Sequence, residues 1–231
     1  MPILKYDMQT VCIIDCIGAT RYMREPFADG SSSFDIILAF AGRESNHIVV
    51  FASDEQFSGG EEQIKLVRHK TWTMEIFLSE IKSAVETACG TRAGVLLVRG
   101  DAPLTDAALT GRLREIFQTY HADYVFADGY PAGFAPELLD SAILDQLIAL
   151  ARQHNMAYTR EGLFPVLQKD INIFDIETEL APVDLRPYRC VPVCNSRRNF
   201  LTAKRLYEEG ARDAKTDRKS TRLNSSHGKL S

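Results

Sequence analysis

The chain has 231 residues, of which 45% are hydrophobic and 25% are charged, and its formal net charge is −4 at pH 7. This composition is typical of a globular protein with room for one large domain, and the acidic balance argues against nucleic acid or an anionic membrane as the main partner. No segment approaches the roughly 20 apolar residues that span a bilayer, and the N-terminus lacks the pattern of a signal peptide. We therefore expect a cytoplasmic protein.

Apolar runs of strand length alternate along the chain with segments of helical periodicity. This alternation is typical of a mostly parallel sheet covered by helices, so the predicted fold class is α/β, in three α/β/α layers. The predicted strands cover residues 10–17, 47–53, part of 63–70, 94–98, 122–128, 171–175 and an extended piece at 189–195. The predicted helices cover 34–41 after a serine cap, a stretch from Thr71 or Thr73 to about 88, one after a cap at Thr105, 141–154 and 197–210.

Two kinds of segment fall outside this alternation. Residues 129–140 contain two prolines and two glycines, which predicts a shaped loop rather than a regular element. The stretch 217–231, DRKSTRLNSSHGKLS, has no apolar periodicity and resembles the in-frame translation of a sequencing-library adapter. We expect residues 1–195 to form one domain, 196–216 to be a linker or helix toward a missing domain, and 217–231 to be a disordered artefact.

The five cysteines suggest reduced thiols, because an odd number in a cytoplasmic chain argues against a disulfide framework. Cys12 and Cys16, like Cys190 and Cys194, have a Cys-x-x-x-Cys spacing that invites a metal interpretation. Residues four apart on a strand are about 13 Å from each other, so we interpret these cysteines as small buried side chains instead.

The stretch VLLVRGDAPLTD sets an apolar run, residues 95–98, directly against an acidic corner at Asp101. The run predicts a strand that is buried on both faces, and Asp101 then follows its carboxyl end. Ligands of open α/β sheets bind outside the carboxyl ends of the strands, which makes Asp101 a candidate for chemistry. The alternative is a turn in which Asp101 caps the next element.

Three segments, VRGDAPLTD, ADYVFADGYPAGFAPELL and INIFDIETELAPVDL, occur in the order and at the spacings seen in nucleotidyltransferases with the nucleotide-diphospho-sugar transferase fold. The chain resembles most the cytidylyltransferase branch, with its acylneuraminate, 3-deoxy-manno-octulosonate and SpsF-like spore-coat polysaccharide members. It also resembles the N-terminal domain of spirochaetal spiro-SPASM proteins, in which such a domain precedes a radical S-adenosylmethionine part.

The resemblance implies a divalent metal ion that bridges the nucleotide phosphates. Asp101 matches the aspartate of the family's Gly-Asp-x-Pro motif, and Asp175 resembles the second aspartate, which comes from a later strand end. Mg²⁺ is the expected cofactor, because it needs few carboxylates beside water and phosphate oxygens. The alternative for Asp175 is a plain turn at a strand end.

The family holds the triphosphate in a loop after the first strand, where backbone N–H groups and fixed cations neutralise phosphate. Here we expect the charge from Arg21 or Arg24, but this loop lacks the family's lysine, and Lys and Arg are not equivalent at a reacting phosphate. The serines could equally be helix caps. The expected nucleotide-binding positions are Gly18, Gly30, Ser31, Ser32 and Gly100.

In SpsF-like relatives a Tyr-Pro-x-Gly-x-x-x-Glu segment lies over the acceptor side. The resemblance therefore implies that Tyr130, Gly133 and Glu137 bind the substrate, with the glycine shaping the backbone. Glu137 could equally be a first-turn glutamate that a helix dipole stabilises.

The implied reaction is in-line attack of an acceptor oxygen on the α-phosphorus of a nucleoside triphosphate such as CTP, with release of pyrophosphate. The expected acceptor is a sugar acid or a sugar phosphate. A catalytically silent domain that recognises a nucleotide or a sugar is the alternative, which the absent lysine favours, and a glycosyltransferase ranks lower because no Asp-x-Asp pair follows the fourth strand. A downstream radical enzyme domain and a second copy of the chain are left open as partners.

Overall fold

The computed structural model describes residues 8–53, 65–90, 92–185 and 190–210. Within these ranges seven strands form one sheet in the order β3-β2-β1-β4-β6-β5-β7, and all of them run parallel except β6. The strands are β1 (Thr10–Asp15), β2 (His47–Ser53), β3 (Lys65–His69), β4 (Gly94–Arg99), β5 (Tyr124–Asp128), β6 (Glu137–Asp140) and β7 (Ile176–Leu180).

Helices connect the strands and cover both faces of the sheet. They are α1 (Ser33–Glu44), α2 (Met74–Cys89), α3 (Ala107–Tyr120), α4 (Leu144–Gln153), the short α5 (Phe164–Leu167) and α6 (Arg197–Glu208). Ser32 caps α1 and Thr73 caps α2, as the sequence allowed. The cap of α3 is Asp106 rather than Thr105, because the Asp106 carboxylate accepts from two N–H groups of the first turn.

Strand β1 shows why the sheet carries two separate cores. Val11 and Ile13 pack with α2 and α4 on one face, while Cys12 and Ile14 pack with α1 and α3 on the other. Successive side chains of a strand point to opposite faces, so an uninterrupted apolar run needs cover on both sides. The three-layer α/β/α prediction is confirmed.

Three predicted elements of the C-terminal half were wrong. Residues 171–173 form a single 3-10 turn in which Ile171 and Ile173 are exposed, and the strand follows at Ile176–Leu180. The predicted loop 129–140 contains β6 at its end. Strand β7 carries three polar residues and β6 has only four residues, so neither has the long apolar pattern of a buried strand. The extended piece predicted at 189–195 forms no strand over its described part, 190–195.

The last described helix packs back onto the loop that follows β1. The ring of Phe200 stacks on Tyr22 and Phe27, with ring centroids 5.7 and 5.8 Å away. The Glu208 carboxylate accepts from the backbone N–H of Ala28 at 3.0 Å. The helix predicted at 197–210 is thereby confirmed, the domain boundary at residue 195 stays a prediction, and residues 217–231 lie outside the described ranges.

The cysteines are all unbonded thiols, with Cys12, Cys16 and Cys194 buried. Within the described ranges, every helix is too short or too polar to cross a membrane.

Candidate functional site

Three carboxylates meet at one edge of the sheet. Asp15 ends β1, Asp101 follows β4 by two residues, and Glu137 opens the antiparallel β6. The register pairs Asp15 with Arg99 and Glu137 with Leu97, so all three lie where β1 and β4 end. This is the edge at which open α/β sheets bind ligands.

Asp101 is fully buried and is held by two arginines. Nη1 of Arg160 lies 2.9 Å from Oδ2 of Asp101. Arg99 reaches both oxygens, with Nε 3.1 Å from Oδ1 and Nη2 3.3 Å from Oδ2. The backbone carbonyl of Asp101 also accepts from the N–H of Cys194 at 2.6 Å. The corner is therefore a buried ion-pair cluster rather than the end of a plain turn.

Asp15 lies beside this cluster and was not predicted as a site residue. Its Oδ1 accepts from the N–H of Ile17 at 2.9 Å, and its Oδ2 accepts from the hydroxyl of Tyr158. Burial raises the pKa of the Asp15 carboxyl, and the opposing charge of Arg160 and these hydrogen bonds do not cancel that effect.

Glu137 ties the segment 158–163 to the sheet. Its Oε2 accepts from the N–H of Leu163 at 3.0 Å, and the Tyr124 side chain also hydrogen-bonds to it. Burial raises the pKa of the Glu137 carboxyl above its ordinary value of 4.5. Glu137 lies in a strand, so the helix-dipole alternative does not apply to it.

A cavity of about 450 Å³ opens beside these groups, large enough for a small organic ligand. The three predicted substrate-binding residues, Tyr130, Gly133 and Glu137, all line it. Its wall combines aromatic side chains with charged ones. The other lining residues include Asp15, Arg99, Tyr124, Phe126, Arg160 and Phe164.

The predicted phosphate loop satisfies its own N–H groups with acidic side chains. The N–H of Ser31 donates to Oδ1 of Asp29 at 3.0 Å, and the N–H of Ser32 donates to Oδ2 of Asp35 at 2.8 Å. Asp35 completes a capping box at α1. The N–H of Gly30 donates to the carbonyl of Phe27 at 3.1 Å. The serines therefore serve as turn and cap residues in this conformation.

The two loop arginines differ in their surroundings. The Arg21 side chain is 77% exposed and lies 3.6 Å from the Glu25 carboxylate. The guanidinium of Arg24 instead lies over the ring of Phe34, 4.0 Å from its centroid. Both residues are exposed, and Arg24 is the one whose guanidinium packs on an aromatic ring.

Two glycines at this edge have different roles. Gly18 has a φ of +63°, and a Cβ there would meet open space. Gly100 lies against the Cys16 side chain, and its N–H and carbonyl are bonded to the carbonyl of Asp15 and the hydroxyl of Ser33. Close packing of β1 against β4 therefore explains the glycine at position 100.

The structure does not bring Asp175 to the site, which corrects its predicted position. Asp175 precedes β7, and its backbone pairs with Asp123 at the start of the parallel β5. It is exposed at the opposite edge of the sheet from Asp101. The length of β5 separates the two edges, at about 3.3 Å per residue.

The residues present do not fit the magnesium ion that the fold family implies. Both oxygens of Asp101 are occupied by guanidinium groups, and Asp175 is remote. In the part of the chain that the structure describes, no three His, Cys, Asp or Glu side chains are grouped to hold a metal ion.

Sequence reasoning missed Asp15, Arg99, Tyr158 and Arg160. Asp15 follows an apolar strand just as Asp101 does, so the same strand-end argument could have found it. Arg99 is two residues from Asp101, and that spacing alone indicates no contact. Tyr158 and Arg160 lie in an irregular segment whose sequence carries no signal of a site.

The sheet order, the layers and the cavity at the carboxyl edge define the nucleotide-diphospho-sugar transferase fold, and solved cytidylyltransferases share it. A cytidylyltransferase from Leptospira borgpetersenii serovar Hardjo-bovis superposes with a TM-score of 0.71 at 15% identity, over 95% of this chain and 96% of the other. The chain is also similar to a CMP:2-keto-3-deoxy-manno-octonic acid synthetase solved with CTP, with a TM-score of 0.58 at 10% identity, over 87% and 99% of the two chains.

A third similar structure is Rv0371c from Mycobacterium tuberculosis, solved with manganese, with a TM-score of 0.54 at 12% identity over 79% of this chain and 96% of the other. No protein-family model matches this chain, and no curated protein is significantly similar to it in sequence. At these identities the likeness establishes the fold.

Proposed function

We propose that this chain is a nucleotidyltransferase domain that transfers a nucleotidyl group, from CTP in the first instance, to a sugar acid or a sugar phosphate. The observation that carries the proposal is the 450 Å³ cavity beside the cluster of Asp15, Asp101 and Arg160, at the ligand-binding edge of a fold that cytidylyltransferases share. Its size and mixed aromatic and charged lining suit a sugar-type acceptor.

In the proposed reaction an acceptor oxygen attacks the α-phosphorus in line. A new phosphorus–oxygen bond forms, the bond between the α-phosphorus and the bridging oxygen breaks, and pyrophosphate leaves with its electrons. An acceptor hydroxyl releases its proton to solvent, and an acceptor phosphate or carboxylate oxygen has none to release. Such transfers depend mainly on positioning and charge neutralisation. Magnesium enters as the counterion of the triphosphate substrate, not as an ion held by Asp101.

The acceptor is assigned to the cavity, where Tyr130 and Glu137 would bind its hydroxyl groups and Gly133 shapes the wall. The nucleotide is assigned to the loop after β1, where Arg21 and the Gly18 turn face open space. Residues 30–32 and Gly100 could bind phosphate only if their N–H groups gave up the hydrogen bonds that they make within the protein.

Pyrophosphate release with each of the four ribonucleotides, magnesium, and a sugar acid or a sugar phosphate tests the proposal. We expect release with CTP and a decrease of about 100-fold in Asp101→Asn, because the variant disturbs the charged groups around the reaction. The matched control is Arg152→Gln, since Arg152 is an exposed arginine that pairs with Glu75 away from the cavity. Equal rates in wild type and Asp101→Asn would contradict the assignment.

The second candidate is a silent recognition domain that binds a sugar or a nucleotide without transfer. The predicted phosphate loop supports this candidate, because Asp29 and Asp35 accept hydrogen bonds from the N–H groups of Ser31 and Ser32. The loop also contains no lysine. Binding of a sugar acid or of CTP in equilibrium dialysis, with no pyrophosphate release under any nucleotide, would favour this candidate. The spiro-SPASM relationship and a downstream domain stay predictions.

A further inference from the structure

We propose that the guanidinium of Arg160, and not a divalent ion on Asp101, is the resident cation of this site, and that Arg160 binds an anionic oxygen of the ligand. This inference deepens the proposed function, since it assigns the charge partner within the same site. It rests on the disagreement between the ion-paired carboxylates and the metal that the fold family implies.

The first step is that the oxygens of both strand-end aspartates are already occupied. The carboxylate oxygens of Asp101 accept hydrogen bonds from guanidinium nitrogens of Arg160 and Arg99 at 2.9 to 3.3 Å, and the Asp101 side chain is fully buried. Asp15 receives the Tyr158 hydroxyl and the N–H of Ile17. A metal ion would have to displace the guanidinium groups to reach Asp101. Arg160 therefore already supplies the positive charge that a cation would bring to these carboxylates.

The second step concerns the nitrogens of Arg160 that Asp101 does not use. Nε and Nη2 are buried and have no hydrogen-bond partner among the described residues. Arginine has five N–H donors in a planar fork, and buried donors without acceptors are unfavourable. Because Arg160 also lines the cavity, these donors suit a carboxylate or phosphate oxygen of a bound ligand.

The third step is that the fold holds Arg160 in place from both sides. Tyr158, two residues before it, donates to Asp15, and the N–H of Leu163, three residues after it, donates to Glu137. Only a fifth of the Arg160 side chain is exposed. Arg160 is therefore fixed at the cavity wall, and an anion has to displace the atoms that cover Nε and Nη2 before these donors can bind it.

Titration of the purified protein with Mn²⁺, followed by electron paramagnetic resonance, tests the cation role. We expect no stoichiometric Mn²⁺ site in wild type or in the Arg152→Gln control. Arg160→Gln removes the shorter of the two guanidinium contacts of Asp101, leaving the longer contacts of Arg99. This variant should bind Mn²⁺ at least tenfold more tightly than wild type, and Arg160→Gln/Asp101→Asn should lose that gain. The proposal is overturned if wild type binds one Mn²⁺ and Asp101→Asn does not bind it. This comparison of wild type with Asp101→Asn tests the proposal even if Arg160→Gln fails to fold. A folded Arg160→Gln variant that binds no Mn²⁺ overturns it as well.

Calorimetric titration with inorganic phosphate tests the anion role. We expect Arg160→Gln to weaken phosphate binding at least tenfold, Arg160→Lys to restore part of it, and Arg152→Gln to leave it unchanged. Equal affinity in wild type and Arg160→Gln would overturn this role. Neither titration uses a nucleotide or an acceptor. A lack of transferase activity would therefore refute the proposed function but not the proposal for Arg160, which these two titrations decide.

Discussion

Replacing Gly162 by alanine tests how the cavity wall is held. Gly162 has a φ of +82°, and an alanine Cβ there would overlap the carboxylate of Glu137, lying only 2.6 Å from its Cδ. That carboxylate is buried and accepts from the N–H of Leu163. The substitution therefore strains the backbone and pushes Glu137 out of its hydrogen bond.

The two effects can be estimated separately. A left-handed backbone conformation at an L-residue is unfavourable by about 1–2 kcal/mol. Loss of the hydrogen bond to a buried carboxylate adds about 1–3 kcal/mol. Together they predict that Gly162→Ala lowers the free energy of unfolding by about 2–5 kcal/mol.

Gly90 supplies a matched control, because its φ is +80° and a Cβ there meets nothing within 4 Å. Gly90→Ala should therefore show only the backbone effect, about 1–2 kcal/mol. Urea unfolding, followed by the fluorescence of Trp72, the single tryptophan, gives both values by linear extrapolation.

A double-mutant cycle isolates the contact with Glu137. In a Glu137→Ala background, Gly162→Ala should cost no more than Gly90→Ala, which corresponds to a coupling of about 1–3 kcal/mol. Equal costs for Gly162→Ala in the two backgrounds would refute the proposed steric link.

The remaining predictions concern charge and packing. The pKa of Glu137 is raised, so its contribution to stability is complete below the ordinary value of 4.5 and is lost as the pH rises through the shifted pKa. Glu137→Gln should therefore flatten the decline in unfolding free energy above pH 4.5, and an unchanged slope in urea unfolding at several pH values would contradict this. Phe200→Ala should lower the free energy of unfolding by about 3–5 kcal/mol, because its ring is buried under the loop after β1. Leu201→Ala, on the exposed side of the same helix, should change it by less than about 0.5 kcal/mol, and comparable losses would argue against the packing. Asp101→Asn leaves two partly exposed arginines without their carboxylate and should destabilise by about 2–3 kcal/mol, while the exposed Asp175→Asn should be near neutral; thermal unfolding that ranks them the other way would contradict the buried cluster.

The central strands could be read from the sequence because their burial is a local property of the chain. Residues 95–98 and the run in β1 are apolar without interruption, and a strand covered on both faces requires that pattern. In the described sheet the edge strand β7 pairs only with β5 and carries charged residues, whereas the turn at 171–173 has the apolar residues that predict a strand. That shift of one element is what misplaced Asp175.

The candidate site also has a part that the sequence predicts and a part that depends on the folded structure. Asp101 was found because the end of a buried strand is visible in the sequence, and Tyr130 and Glu137 came from a motif that does line the cavity. The binding roles of these residues stay predictions. That the serines at 31 and 32 would bond to Asp29 and Asp35 is a matter of loop conformation, which residue types alone leave open.

The sequence by itself determined the layers of this protein and the strand end at which Asp101 lies, because hydrophobic periodicity acts over a few residues and dictates which faces must be buried. The tertiary structure alone decided what Asp101 meets there. Its partner Arg160 is 59 residues away, and the hydroxyl that reaches Asp15 comes from 143 residues away. Such pairs form only when the folded chain buries both charged groups at the same place. Because an unpaired buried charge is strongly unfavourable, burial makes the pairing energetically important.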